Sequence, residues 1–314
     1  MGLVEFCSFH NESSHCSNAI LSANKFIRKM KGGSQSVLVQ ANDTKFYVVK
    51  MVGNPQGANT LANELLGSWI ANSVGLPVAE GKGIYLSDSF IDAYPDSWFD
   101  LPSGRCRPEK GVHFGSLLVG QPSGQMRPTE YISPSRVDTI TNRDAFLGMY
   151  ILDVWANHQD SRQAVFRSAS NDCFQEAFFI DHGHMFGGPE WNFQERPGIA
   201  LHQEMAVYSG LLEDQQIASW ISHIRTVIPE VLSWAAAVIP SEWYKGDLSL
   251  LVVTLVDRFP NLMELVQADR AKSVRLIQQK SKNDILRLSG SRIHNVGASD
   301  ARSSVHRRVA AARA

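Results

Sequence analysis

Long apolar runs are missing from this chain of 314 residues: the longest, Trp234 to Ile239, falls far short of the ~20 that a membrane span needs. Cysteine is scarce as well. Its four residues, at 7, 16, 106 and 173, have no spacing that reads as a disulfide framework, so a reduced, cytoplasmic setting is expected. Neither sign of charge prevails, with 30 Lys and Arg against 31 Asp and Glu, which excludes a global field for nucleic acid or anionic lipid. The first residues carry no basic stretch ahead of an apolar one, and Phe6 stands where a myristoylation signal needs Ser or Thr, so neither secretion nor lipid anchoring is expected. Cys7, His10, His15 and Cys16 invite a zinc clip, but adjacent His15 and Cys16 suit a tetrahedral site poorly, and a loosely ordered N-terminus is the plainer reading. No internal repeat is evident. What remains is a chain 44% hydrophobic, long enough to bury a core in one large domain or two lobes.

Its pattern changes along its length. Residues 1–24 read as irregular. Val37–Gln40 and Lys45–Met51 alternate around Asn42-Asp43, a hairpin signal. Asn59 to Val74 has helical spacing and stops at Gly75-Leu76-Pro77. Gly83–Leu86 and His113–Val119 are further strand candidates, separated by a Pro- and Gly-rich loop. This describes an N-terminal lobe of strands with one helix over 25–120. From 121 to 289 the reading is a second, mostly helical lobe. Asn142 is placed to cap an almost wholly apolar helix that ends near Trp155, and helices are expected at Asp214–Val227, Glu230–Val238, Asp247–Arg258 and Leu262–Leu288. The basic stretch 290–314 has no apolar period and reads as a disordered tail.

Two acidic residues stand out between these helices. Asp160 follows the apolar helix in Ala-Asn-His-Gln-Asp-Ser-Arg (156–162), and Asp181 closes a strand in Phe-Phe-Ile-Asp-His-Gly-His (178–184). A strand at Ala164–Arg167 and a turn at Ser170-Asn171-Asp172 place them at the two ends of one hairpin. Phosphoryl transfer uses such a pair, one carboxylate for the attacking group and one for a metal on the phosphates. Lys50 ends an otherwise apolar strand, where it is either a phosphate ligand paired with Glu64 or an edge lysine reaching solvent. Gly32, Gly33 and Ser34 precede a strand, where backbone N–H groups can approach phosphate.

Gly-Gly-Ser-Gln (32–35), Tyr-Val-Val-Lys (47–50), Leu-Ala-Asn-Glu-Leu (61–65), Gly-Leu-Pro-Val (75–78), His-Phe-Gly-Ser (113–116), Asn157 through Arg162 and Ile-Asp-His-Gly (180–183), taken together, resemble the HipA-like kinases. The resemblance is closest to the compact members that stand alone. It implies an α+β, two-lobe protein-kinase-like fold, a small antiparallel β lobe with one helix above a larger helical lobe. It also implies ATP with Mg²⁺, transfer to Ser or Thr of a protein or of the chain itself, and the toxin–antitoxin setting in which a small DNA-binding antitoxin is the partner. Asp160 would be the catalytic base, with Asn157 and Arg162 positioning its loop or neutralising phosphate. Lys50, Glu64, Gly32, Gly33, Ser34 and Gln35 would serve the nucleotide, with Ser34 or Ser36 open to autophosphorylation and Ser36 standing where the family has proline. Asp181 would hold the metal.

The chain departs from the family pattern Asp-x-His-x-x-Asn, with Arg162 in the histidine place and Val165 in the asparagine place. Asp181 is then the one metal ligand carried over, and Gln163 is the nearest substitute for the second. Two further readings stand beside the active kinase. One is a nucleotide-binding pseudokinase that regulates a partner. The other is a metal-dependent hydrolase built from His182, His184, His113 and Asp160. A loop pairing of Asp160 with Arg162 is the structural alternative for that aspartate.

Overall fold

The computed structural model describes residues 20–123, 128–168 and 174–279. The cysteine–histidine segment at 7–16, the turn at 170–172 and the tail at 290–314 lie outside them.

Two hydrophobic cores account for two lobes. The smaller fills a closed barrel of five strands, β1 (Leu21–Lys29), β2 (Val37–Ala41), β3 (Phe46–Lys50), β7 (Gly111–Leu117) and β4 (Gly81–Leu86), hydrogen-bonded in the order β1-β2-β3-β7-β4. Val37, Val39, Tyr47, Val49 and Ile84 point into it, alternating with residues that face outward or into the cleft, as period-2 strands require. A short helix, α2 (Asp88–Ala93), and a hairpin of β5 (Phe99–Leu101) and β6 (Gly104–Cys106) cover one end. The barrel closes where β1 meets β4 in parallel, Leu21 opposite Ile84, while its other pairs are antiparallel.

β1 corrects the reading of 1–24 as irregular, since it begins at Leu21. Its register slips between Ala23 and Lys25 and again between Phe26 and Arg28, and two bulges erase the alternation by which a strand is recognised.

The larger core joins α1 (Thr60–Ser73) to the C-terminal lobe. At its centre α3 (Ala145–Trp155) buries all 11 of its residues, matching a sequence that is apolar but for Asp153. Asn142 does not cap it. Its amide instead clamps Ala177 of β9 at two points, both 2.9 Å. β8 (Gln163–Ser168) and β9 (Gln175–Ile180) form the expected hairpin. Around them lie α4 (Asp214–Val238), α5 (Leu248–Asp257) and a helical stretch over 262–279. The two helices expected across 214–238 are one, with Pro229 inside it. The buried face of Ile217, Ile221, Ile224, Ile228, Val231, Leu232 and Ala235 runs unbroken past the proline, and that burial exceeds the ~3 kcal/mol an interior proline costs. No helix among the described residues is long and apolar enough to cross a membrane.

Candidate active site between the two lobes

Lys50 emerges from the last position of β3, facing away from the barrel core, and is only 7% exposed. A buried ammonium needs anions, and two are supplied from opposite lobes. Its Nζ donates to Glu64 Oε1 on α1 and, at 2.6 Å, to Asp181 Oδ1 just past β9. Burial alone would depress the lysine, but Glu64 and Asp181 together push it above its ordinary value. Burial would likewise raise Asp181, yet Lys50, Glu64 and Arg162 hold it well below the usual carboxylate range.

α1 grips the loop that carries Asp181. Glu64 also accepts from the backbone N–H of His182 (3.1 Å) and Gly183 (2.9 Å). Next to it, Asn63 Nδ2 lies within 2.9–3.2 Å of the carbonyls of Gly183, Met185 and Gly188. Gly67 makes room for this loop, since a Cβ there would meet His182 and Met185 at 2.7 Å. Asp181 itself has φ 62°, a left-handed conformation that aspartate tolerates better than most residues.

Arg162 braces the same loop from behind, the first of the two roles expected for it and not the second. It is 2% exposed and makes a two-point pair with Asp153 of α3 (2.9 and 2.5 Å), while Nη1 donates to the carbonyls of Ile180 (2.9 Å) and Asp181 (3.1 Å). It does not line the cleft, so it cannot neutralise phosphate there, and it does not pair with Asp160. Asn157 is also withdrawn: buried, with φ 51°, it accepts from Gln159 and holds Gly187 through its carbonyl. Both are positioning residues. Gln35 turns away too, its amide closing a two-point clamp on Asp100 of β5 (2.8 and 2.7 Å) that anchors the glycine loop.

The remaining expected residues meet in one cavity of about 290 Å³ between the lobes, lined by Gly32, Gly33, Ser34, Lys50, Glu64, Asp160, Gln163 and Asp181. Gln163 Nε2 donates to Asp181 Oδ2 at 2.9 Å, so the aspartate has one oxygen on Lys50 and the other on this amide. Asp160 accepts from the backbone of Ser161 at 2.7 Å. An apolar slot completes the cavity, formed by Val48, Ala79, Phe114 and Leu117 from the first lobe and by Val165 and Phe179 from the second. Val165 apart, the slot residues carry no pattern of their own as a nucleotide pocket, and neither do Asp153 and Gln56, because alternating valines and isolated polar residues give no local signal.

The histidines do not assemble a metal centre. His113 accepts from Val52 N at 3.0 Å, His182 faces Arg162, and His184 faces Gln56 at 3.2 Å. Burial drops His113 to about 4 and holds His182 well below its ordinary value, so both are neutral. Among the described residues no group of three or more His, Cys, Asp and Glu is placed to hold a metal, so the hydrolase constellation does not form.

A family model described as HipA-like kinase matches residues 24–269. Among solved structures, the chain is similar to the Helicobacter pylori proinflammatory kinase CtkA, at 12% identity and a TM-score of 0.51, over 82% of this chain and 100% of that one. It is also similar to the Golgi casein kinase with Mn/ADP bound, at 12% identity and a TM-score of 0.48, over 82% of this chain and 74% of that one. No curated protein matches the sequence. The likeness to CtkA shows a shared fold, the two-lobe α+β kinase architecture.

Proposed function

This chain belongs to the HipA-like kinase family, and from that premise we propose that it transfers the γ-phosphoryl group of ATP to a Ser or Thr hydroxyl, on a protein partner or on its own glycine loop. The observation that carries this reading is the contact of Lys50 with both Glu64 and Asp181, inside a cavity that also holds Asp160 and the Gly32-Gly33 loop. That constellation serves phosphoryl transfer by positioning and charge, with little covalent work for the protein.

The apolar slot fits a nucleobase, and the open space over Gly32, whose φ of 121° suits glycine, lets backbone N–H groups approach phosphate. Lys50 faces the phosphates. The acceptor hydroxyl gives its proton to Asp160 as its oxygen bonds to the γ-phosphorus. The bond from that phosphorus to the β–γ bridging oxygen breaks, and ADP leaves. The donors near Asp181 are oxygens and an amide, a set that fits a hard cation such as Mg²⁺. Asp181 would hold such an ion, joined by Gln163 if its amide turned its oxygen in place of the Nε2 that now donates to Oδ2, and the ion would neutralise charge on the phosphates.

Purified protein with Mg²⁺ and labelled ATP should show autophosphorylation or slow turnover. Asp160→Ala should lower the rate by about 10²–10⁴ while leaving nucleotide affinity nearly intact. Asp181→Ala should weaken both. Transfer that survives Asp160→Ala unchanged would sink the assignment of the base.

One observation favours a second reading, a nucleotide-binding pseudokinase. Val165, an apolar residue, lines the cavity where the family pattern has asparagine. Tight nucleotide binding without transfer would select it. If only a second metal site is lacking, Val165→Asn should raise activity.

A further inference from the structure

The second bulge of β1 decides where a cation points. Phe26 pairs with Val39, a residue of the barrel core, and Arg28 pairs with Leu38, so Ile27 is the extra residue between them. In an unbroken strand Phe26 and Arg28 would share a face, and the guanidinium would enter the barrel. The bulge turns Arg28 to the opposite face and leaves Lys29 opposite Val37. Lys29 is then held at the end of the barrel, its Nζ donating to Trp98 O and Asp100 Oδ2, both at 2.6 Å.

The register carries on from Arg28 across the wall of the cleft. Leu38 pairs with Val48, and Val48 with Ser116, so these four residues form one cross-strand row facing away from the barrel core. Arg28, Val48 and Ser116 all line the cavity, and Val48 belongs to its apolar slot. Lys50, two residues further along β3, stands about 7 Å beyond that row, on the side of the phosphates. Its charge is taken up by Glu64 and Asp181, whereas the partly buried Arg28 makes no ion pair or hydrogen bond with the described residues.

Bulges recur beside active sites, where they re-aim a side chain. The level of Arg28 in the sheet is that of the slot rather than that of Lys50, which selects the base end of a nucleotide over its phosphates. A guanidinium suits that end, because it is planar, weakly hydrated and stacks on aromatic faces. We propose that Arg28 lays its guanidinium over the outer edge of the nucleobase, closing the slot on its β1 side. This rests on the reading of the cleft as an ATP site, and it adds the residue that holds the base where the apolar wall ends.

The test is calorimetric affinity for ATP with Mg²⁺ and for adenosine, in the wild type and in Arg28→Ala and Arg28→Lys. Loss of one stacked partner should weaken ATP and adenosine alike, by about five- to a hundredfold. Arg28→Lys, which keeps the charge and loses the plane, should fall nearly as far. Weakening of ATP alone, with recovery in Arg28→Lys, would make Arg28 a phosphate ligand and overturn the proposal, as would no change for either ligand. Both of those results leave the kinase reading standing. A wild type that binds neither ATP nor adenosine overturns both. Should the variants fail to fold, or adenosine bind too weakly to measure, the Nε–H resonance of Arg28 in the ¹⁵N-labelled wild type decides. An upfield ring-current shift with ATP and none with tripolyphosphate supports the stack, and an equal response to the two refutes it.

Discussion

Arg162 shows how a sequence can name a residue and leave its role open between two. Its position two residues after Asp160 suits either a brace for that loop or a cation at the phosphates, and the fold gives its charge to Asp153 and its remaining donors to the carbonyls of Ile180 and Asp181. Asp153 is 1% exposed, so removing the guanidinium strands a carboxylate in the core. Arg162→Met should therefore cost roughly 3–5 kcal/mol by urea denaturation, whereas the double variant with Asp153→Leu should recover much of that loss. Recovery of stability without recovery of activity would show that the arginine also sets the pose of Asp181. Lys50, Glu64 and Asp181 were legible because each is a lone charge in an apolar setting. Gln35, Asn157 and Arg162 were placed in the right loops, but whether a side chain turns inward or outward there depends on neighbours far away in sequence.

Elements were legible where their periodicity was clean. The hairpin β2–β3, helix α1 with its Gly75-Leu76-Pro77 stop and the almost wholly apolar α3 follow from local pattern alone. β1 did not, because its bulges break the alternation and its closing partner β4 is some sixty residues away, roughly the distance from Leu21 to Ile84. α4 was split because proline is a sound stop signal locally and a poor one where a buried face continues. Pro229 is solvent-exposed, so Pro229→Ala should restore the missing N–H bond at little packing cost and raise stability by about 1–3 kcal/mol, measurable as a higher denaturation midpoint. Gly67 on α1 predicts the opposite. Ordinary helix propensity makes Gly→Ala favourable, but the added methyl would meet His182 and Met185 at 2.7 Å. Gly67→Ala should push the Asp181 loop off α1, lowering the melting temperature and the rate together. An unchanged rate would mean the loop can shift without moving Asp181.

At the scale of the molecule, the site is the junction of two lobes, and its buried titratable groups tie the stability of the whole to pH. His113 in β7 is lowered to about 4 by burial, and burial with the charge of Arg162 holds His158 and His182 well below their ordinary values. In the unfolded chain these rings titrate near 6.5. Between that value and about 4 the unfolded state therefore binds protons that the folded state refuses. The stabilisation is full above about 6.5 and is lost as pH falls through this window. Asp181, also depressed, adds a later loss below about 3.9, and Lys50, raised by its two carboxylates, protects stability until pH climbs beyond about 10.4. Thermal melting should accordingly trace a plateau from about pH 7 to 10 with a steep acid limb. His113→Asn isolates one ring. Its amide oxygen can replace Nδ1 as acceptor from Val52 N, and it cannot titrate. The acid limb of that variant should be shallower by about 1.4 kcal/mol per pH unit, the slope of a single proton. If the slope between pH 6.5 and 4 is the same in variant and wild type, His113 is not neutral in the folded protein, and the barrel wall behind Lys50 is wetter than its packing indicates.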